Sequence, residues 1–360
     1  MNKTKTFIRI FLSFCLWRAP QAAAWGERGH HAIARIAAMR VATGTEDEKA
    51  LAALFRSKAI QLGHLSNVPD TAWRNMDKET SALNGPTHYM DADYWTDDIG
   101  SIPLDYQEAF KRFNGKPNKI DGKPIDLFQE GTLIWRSQQL YDLMVSEFHK
   151  AKTAAPGSAE YKRAVHQALV YGGLLAHFVG DASMPYHNSH DYDGAKTGHA
   201  GVHAYFEMET PDSDDPGLES AVYQGMPQSF ASLKLEQEFS SGGSRPAAHL
   251  TRLLSERAFA RLGELERLDG QLILERSKGK SPAKRKPAQE ALAAFRPMIV
   301  EQLAESSAVL ARLWRGAWEQ AGKPDLSEAK FWDYAHKPDF VVPSYDEAAV
   351  TRIKAKTAAN

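Results

Sequence analysis

The stretch 174–187, LLAHFVGDASMPYH, constrains the fold more than any other part of the chain. Leu174, Leu175, Phe178 and Val179 fall at helical spacing and predict a buried helix. Into that apolar run are set His177 and, four residues on, Asp181, which share one side of a helix. A carboxylate in such surroundings must be paired or bound to metal. Pro185 stops the helix, and His187 follows on a turn that can fold back. The pattern recurs at His203 and Glu207, again i and i+4. Either pair alone fits a buried salt bridge. Two pairs plus His187 within one short stretch favour a metal centre, because Zn²⁺ takes imidazole nitrogen and carboxylate oxygen at about 2.0–2.2 Å.

With 360 residues, 43% of them hydrophobic and 25% charged, the chain can build one large core or two. No stretch reaches the roughly 18 apolar residues of a spanning helix. Residues 1–24 read as an export signal: Lys3, Lys5 and Arg9 form the positive end, 10–17 a short apolar core, and Ala22, Ala23 and Ala24 a small-residue cleavage site. Cleavage there leaves Trp25 as the new N-terminus and removes the only cysteine, Cys15. It also removes four basic side chains and no acid, so the mature chain is modestly acidic. That excludes the basic footprint of a tight duplex binder and fits an exported enzyme that offsets substrate charge with metal. The expected location is periplasmic or secreted.

Helical composition recurs along the chain and strand signals are few, which predicts a mainly α fold, one domain of packed helices with long loops. Helices are expected over 26–43, 46–59, 130–150, from 158 through the central stretch, over 245–273 and over 287–321. Breaks or loops are expected at 62–69, at 95–128 with a small hairpin through 118–123, at 212–244, and in the basic run 276–286. The domain is expected to span 25–340, with 341–360 a frayed tail. Gly172 and Gly173 weaken the central helix and suit close approach of a neighbour.

Histidines and acids near apolar segments are His30, Asp70, His88, His177, Asp181, His187, His203 and Glu207. That set exceeds one tetrahedral zinc and suits two or three ions, with Asp181 a natural bridge. Clustered ions clamp the oxygens of a phosphoryl centre and activate water, so phosphate-ester hydrolysis is the implied chemistry.

These residues carry a resemblance. The order and spacing of the donors resemble the superfamily that joins the zinc-dependent single-strand nucleases (S-one/P-one type) with the bacterial zinc phospholipases C. The matching motifs are WGERGH at Trp25, Asp70, HYMD at His88, the His177/Asp181/His187 signature and the His203/Glu207 pair. The resemblance implies a helical fold with three zinc ions in a cleft, held by Trp25, His30, Asp70, His88, His177, Asp181, His187, His203 and Glu207. In that family the N-terminal Trp binds metal through its amino and carbonyl groups. The resemblance also gives Asp70 the orienting of water, Arg74 a contact with phosphate, and Tyr89 and Asp91 the stacking and hydrogen bonding of a base. Arg74 stands four residues after Asp70, where the nuclease pattern has three. Tyr89 and Asp91 equally fit a packed loop with a turn-capping Asp. Glu207 stands where nucleases carry Asp, which is the phospholipase pattern. Three readings stay open: a monomeric nuclease acting on single-stranded nucleic acid, a phospholipase C acting on phospholipid, and a noncatalytic zinc-binding protein. Of the remaining histidines, His31, His190 and His199 are expected at the surface or in support of ligands, with His190 the one to approach the cleft.

Overall fold

The computed structural model describes residues 25–42, 44–213, 217–277, 279, 281–329 and 339–358. The expected export signal, residues 1–24, lies outside the described residues. The first half of the chain begins with α1 (Gly26–Met39), α2 (Lys49–Ser57), α3 (Ala59–Ser66) and α4 (Val68–Thr71). Next come α5 (Lys78–Asn84), α6 (Ala92–Trp95) and α7 (Tyr106–Phe113), and then the long pair α8 (Leu133–Thr153) and α9 (Ala159–Ser183). α10 (Val202–Ala204) passes through a π-helical turn, Tyr205–Glu209, into α11 (Thr210–Ser213). The second half holds α12 (Gly217–Ser232), α13 (Leu235–Ser241), α14 (Pro246–Phe259) and α15 (Leu262–Gly270). A hairpin of β1 (Ile273–Glu275) and β2 (Lys284–Arg285) precedes α16 (Ala288–Gln320) and α17 (Glu347–Ala358). The chain is mainly α and forms a single packed helical domain. No described helix is long and apolar enough to cross a membrane.

α9 is the axis of the packing. Ser158 caps its start, the hydroxyl accepting from Tyr161 N at 3.1 Å. Every residue from Gly172 to Ser183 is buried, so this half of the helix is enclosed on all sides, by α8, α3, α1, α14 and α16. The helix ends where Met184 turns extended ahead of Pro185. The glycine pair permits that enclosure, as expected. A Cβ on Gly172 would lie 3.1 Å from Trp314 Nε1, which donates to Gly172 O, and one on Gly173 would lie 2.4 Å from Leu65 Cβ. Gly173→Ala therefore pushes α3 away from α9, and α3 carries the Ser66 carbonyl that holds His177. The expected result is a loss of about 1–3 kcal/mol from overpacking and a drop in metal affinity of roughly 10–100-fold, read by thermal melts and metal titration of the variant.

Several expected loops are ordered. Residues 62–66 continue α3 rather than breaking. The 95–128 stretch contains α7, and Ile102, Phe113, Ile125 and Leu127 are core residues, so it is no surface loop. The 118–123 hairpin is present in reduced form, with Asn118 N donating to Lys123 O at 2.8 Å beside a Pro117–Pro124 bridge. The 212–244 stretch holds α12 and α13. Leu218, Val222, Met226 and Ser229 line the buried side of α12. The tail beyond Asp339 is likewise ordered as far as Ala358: α17 buries Ala349 and Ile353 against Leu83 and Phe128. Tyr345 locks it further through a 2.7 Å bond with Thr132 Oγ1. The basic run departs from a solvated loop at Arg285, whose guanidinium is buried against Asp269.

Candidate metal centre

The ligands named from sequence come from separate elements and converge. α9 delivers His177 and Asp181, α1 delivers His30, and α4 delivers Asp70. His88 and His187 lie on neighbouring turns tied by Met90 N donating to His187 O at 2.8 Å. His203 and Glu207 flank the start of the π turn, where the Thr210 N–H reaches back to Tyr205 O. Such a wide turn inside a helix commonly marks a functional position, and here it carries Glu207.

Three overlapping groups result: His30 with His177 and Asp181; Asp70 with His88 and His177; and His187 with His203 and Glu207. In each, donor atoms lie within 4.8 Å of one another and all the residues are buried. Asp181 joins the first two, with Oδ1 3.3 Å from His30 Nε2 and Oδ2 3.1 Å from His88 Nδ1 and 3.3 Å from His177 Nε2. In the third, Glu207 lies 2.6 Å from His203 Nε2 and 3.8 Å from His187 Nε2.

The hydrogen bonds on the far side of the rings decide what these groups can hold. Nδ1 of His177 meets Ser66 O at 2.7 Å, Nδ1 of His187 meets His88 O at 2.5 Å, and Nδ1 of His203 meets Tyr192 O at 2.5 Å. A carbonyl oxygen can only accept, so each Nδ1 carries the proton and each Nε2 turns its lone pair into the cluster when the ring is neutral. This is the support that metal-bound histidines need. His88 is the exception: Asn84 Nδ2 donates to its Nε2 at 2.9 Å, so the Nδ1 that faces Asp181 carries the proton in this arrangement. Asp181 Oδ1 and His187 Nε2 are buried and make no hydrogen bond. Orphaned donor atoms in a set of imidazoles and carboxylates fit a divalent cation.

The electrostatics agree. Burial, reinforced by neighbouring imidazoles and Arg74, holds His88 well below the usual histidine range. Burial does the same to His177 and His187. Burial and the nearby Asp70 and Glu207 carboxylates push Asp181 well above the carboxylate range. Glu207 is pushed up to about 7 by burial, with His203 pulling back. His203 feels burial downward, but Glu207 outweighs it and the net shift is upward. Crowding thus favours the neutral form of Asp181 and Glu207, and the lowered His177 and His187 stay neutral, the form in which imidazole binds metal.

The remaining sequence candidates are placed as follows. Trp25 is fully buried, its Nε1 donating to Ser183 Oγ at 3.0 Å and its ring 5.7 Å from that of Phe206. It thus lies between the elements that carry Asp181 and Glu207. Arg74 NH2 lies 2.7 Å from Asp70 Oδ1, and its side chain is 21% exposed, whereas Asp181 and Glu207 are at 0%. The Tyr89 hydroxyl donates to Gln129 O at 2.9 Å. Asp91 faces His190 and Glu130. His190, 32% exposed at its side chain, faces Asp91, its Nδ1 3.6 Å from Asp91 Oδ2. His199 is no surface residue: it is buried and bonded through Nδ1 to Asp269 Oδ2 at 2.8 Å. Sequence reading missed Asn84, Glu130, Asp193 and Asp269. Asp193 accepts from the backbone N–H of Gly201 and of His203 and so fixes the start of α10. None of the four stands at a spacing that announces it. A cavity of about 460 Å³ lined by Tyr106, Trp135, Asp142 and Arg245 lies elsewhere and contains none of the candidate ligands. Convergent donors, rather than volume, locate the site. No family model matches the chain, and no curated protein matches it.

Proposed function

We propose that the chain is an exported, monomeric zinc-dependent phosphodiesterase that hydrolyses single-stranded nucleic acid. The observation that carries this reading is the set of three Nδ1–H bonds to backbone carbonyls, which leaves the Nε2 atoms of His177, His187 and His203 directed at buried carboxylates. His30, His177 and Asp181 would hold one zinc, Asp70, His88 and His177 a second, and His187, His203 and Glu207 a third. The main-chain groups of Trp25 would complete the set in a chain beginning there, as the resemblance implies. Bound divalent ions supply charge to a phosphate ester and lower the pKa of water toward about 7.

The chain's own groups do the rest. Asp70, paired with Arg74, orients a water. Arg74, ion-paired with Asp70, adds positive charge beside a bound phosphate. The enclosure of Asp181 and Glu207 keeps bulk water from these carboxylates. Arg74→Ala is expected to lower kcat by roughly 10²–10³ and to leave metal content unchanged, with Arg74→Lys recovering part of the loss. A loss of bound metal in Arg74→Ala would make it a structural partner of Asp70 instead.

One observation favours a phospholipase C: Glu207, in place of an aspartate, closes the third group. Parallel assays on a short single-stranded oligonucleotide and on phosphatidylcholine vesicles, each with and without chelator, decide the matter. Chelator-sensitive cleavage of the oligonucleotide is expected. Cleavage of the lipid alone transfers the same site to the second reading, and turnover of neither leaves a noncatalytic metal protein.

A further inference from the structure

A fourth donor group, partly exposed, lies apart from the three buried ones, and nothing in the proposed reaction uses it. Asp91, Glu130 and His190 each offer one atom within 4.8 Å of the others. Two carboxylates and one imidazole are a ligand set for a divalent cation, and the imidazole sets the group apart from an ordinary acidic patch. The side chains are partly exposed, 17% for Asp91 and 32% for His190, so coordination positions remain open to water.

The group is built, not accidental. Asp91 N donates to Glu130 O at 2.8 Å, which fixes the two acids as neighbours. His190 N donates to Asp93 Oδ1 at 2.7 Å, and its ring stacks on Tyr94 at 4.5 Å. The Tyr89 hydroxyl holds the segment before Glu130 through Gln129 O. The positive charges felt at Asp91 are His190 and, more weakly, Lys196. His190 Nδ1 is 3.6 Å from Asp91 Oδ2, and among the described residues no Lys or Arg forms an ion pair with either acid. Burial pushes the Asp91 carboxyl up to about 6, with His190 pulling back, and burial pushes that of Glu130 up to about 7, with Asp91 adding to it. One imidazolium can offset one carboxylate; a divalent ion offsets both.

We infer that Asp91, Glu130 and His190 bind a further divalent cation, distinct from those of the buried groups. Asp91 lies three residues after His88 and His190 three after His187, so the ion joins the two turns that carry buried ligands. It tightens that junction from outside. Its donor set, one nitrogen and two oxygens, suits Zn²⁺ or Mn²⁺. An Asp91 engaged in this way is not available to a nucleic-acid base.

The test is a Zn²⁺ titration of the metal-loaded protein followed by calorimetry, compared with Asp91→Asn and Glu130→Gln, which keep side-chain size. The wild type is expected to bind one further ion more weakly than the resident ones, and to melt at a higher temperature as Zn²⁺ is added. Each variant should lose that ion and that response while keeping the resident metal. Should a variant fold poorly, a Zn²⁺ anomalous-scattering peak between the three side chains in wild-type crystals answers the same question. Absence of the further ion, or its persistence in both variants, overturns the inference. The readout is binding, so turnover on any substrate does not enter it, and failure of the phosphodiesterase reading leaves it standing.

Discussion

Asp181→Asn is expected to abolish turnover and to melt well below the parent protein. Asp181 lies between His30, His88 and His177, and its two oxygens serve two donor groups at once. An amide keeps the shape but takes away one oxygen and the charge. Two ions would then be held by imidazoles and Asp70 alone. Losing charge stabilisation worth several kcal/mol corresponds to a rate loss on the order of 10³ or more. The thermal effect follows from linkage: an ion present at 1,000 times its Kd adds about 4 kcal/mol, which is roughly 6 °C for a domain of this size. Exhaustive chelation of the parent should lower the melting temperature at least as far, and chelation of the variant should do little more. Kinetics on an oligonucleotide and paired melts of both proteins check this. Full activity of Asp181→Asn after chelation would remove the metal mechanism.

Asp269→Ala is expected to cost about 3–5 kcal/mol without touching a proposed ligand. Asp269 is fully buried and accepts from Arg285 Nε at 2.7 Å, Arg285 NH2 at 2.9 Å and His199 Nδ1 at 2.8 Å. Arg285 also donates to the carbonyls of His199 and Ala200. The trio therefore straps the 189–201 loop, which precedes His203, onto α15 and the hairpin. Deleting the carboxylate leaves a buried guanidinium without its counter-charge, the costly way to break such a pair. Denaturant unfolding measures the loss. A change below about 1 kcal/mol would mean that water replaces the carboxylate and that the strap is not structural. Resident metal should remain bound at low temperature, which separates this effect from that of Asp181→Asn.

The two variants also show what was legible in the chain. His177 and Asp181 announce themselves because polar groups in an apolar helical run need a reason, and α1, α9 and α16 are read from long, regular apolar faces. α12 carried an equally regular face, Leu218, Val222 and Met226, but its polar neighbours, Gly225 and Pro227 read as loop. α7 and α17 are short and gain their order from tertiary contacts such as Tyr345 with Thr132, which composition cannot show. Arg285 reads as part of a charge run because its partner, Asp269, is identified only by the fold. Glu130 is the same case: only packing brings it to Asp91.

Metal analysis of the purified chain beginning at Trp25, by elemental mass spectrometry, tests the central claim most directly. Two to three zinc ions per chain are expected, with a clear fall in Asp181→Asn and none in Asp269→Ala kept cold. A folded wild-type protein that emerges from zinc-replete medium with no bound divalent metal, and takes up none on titration, would contradict it.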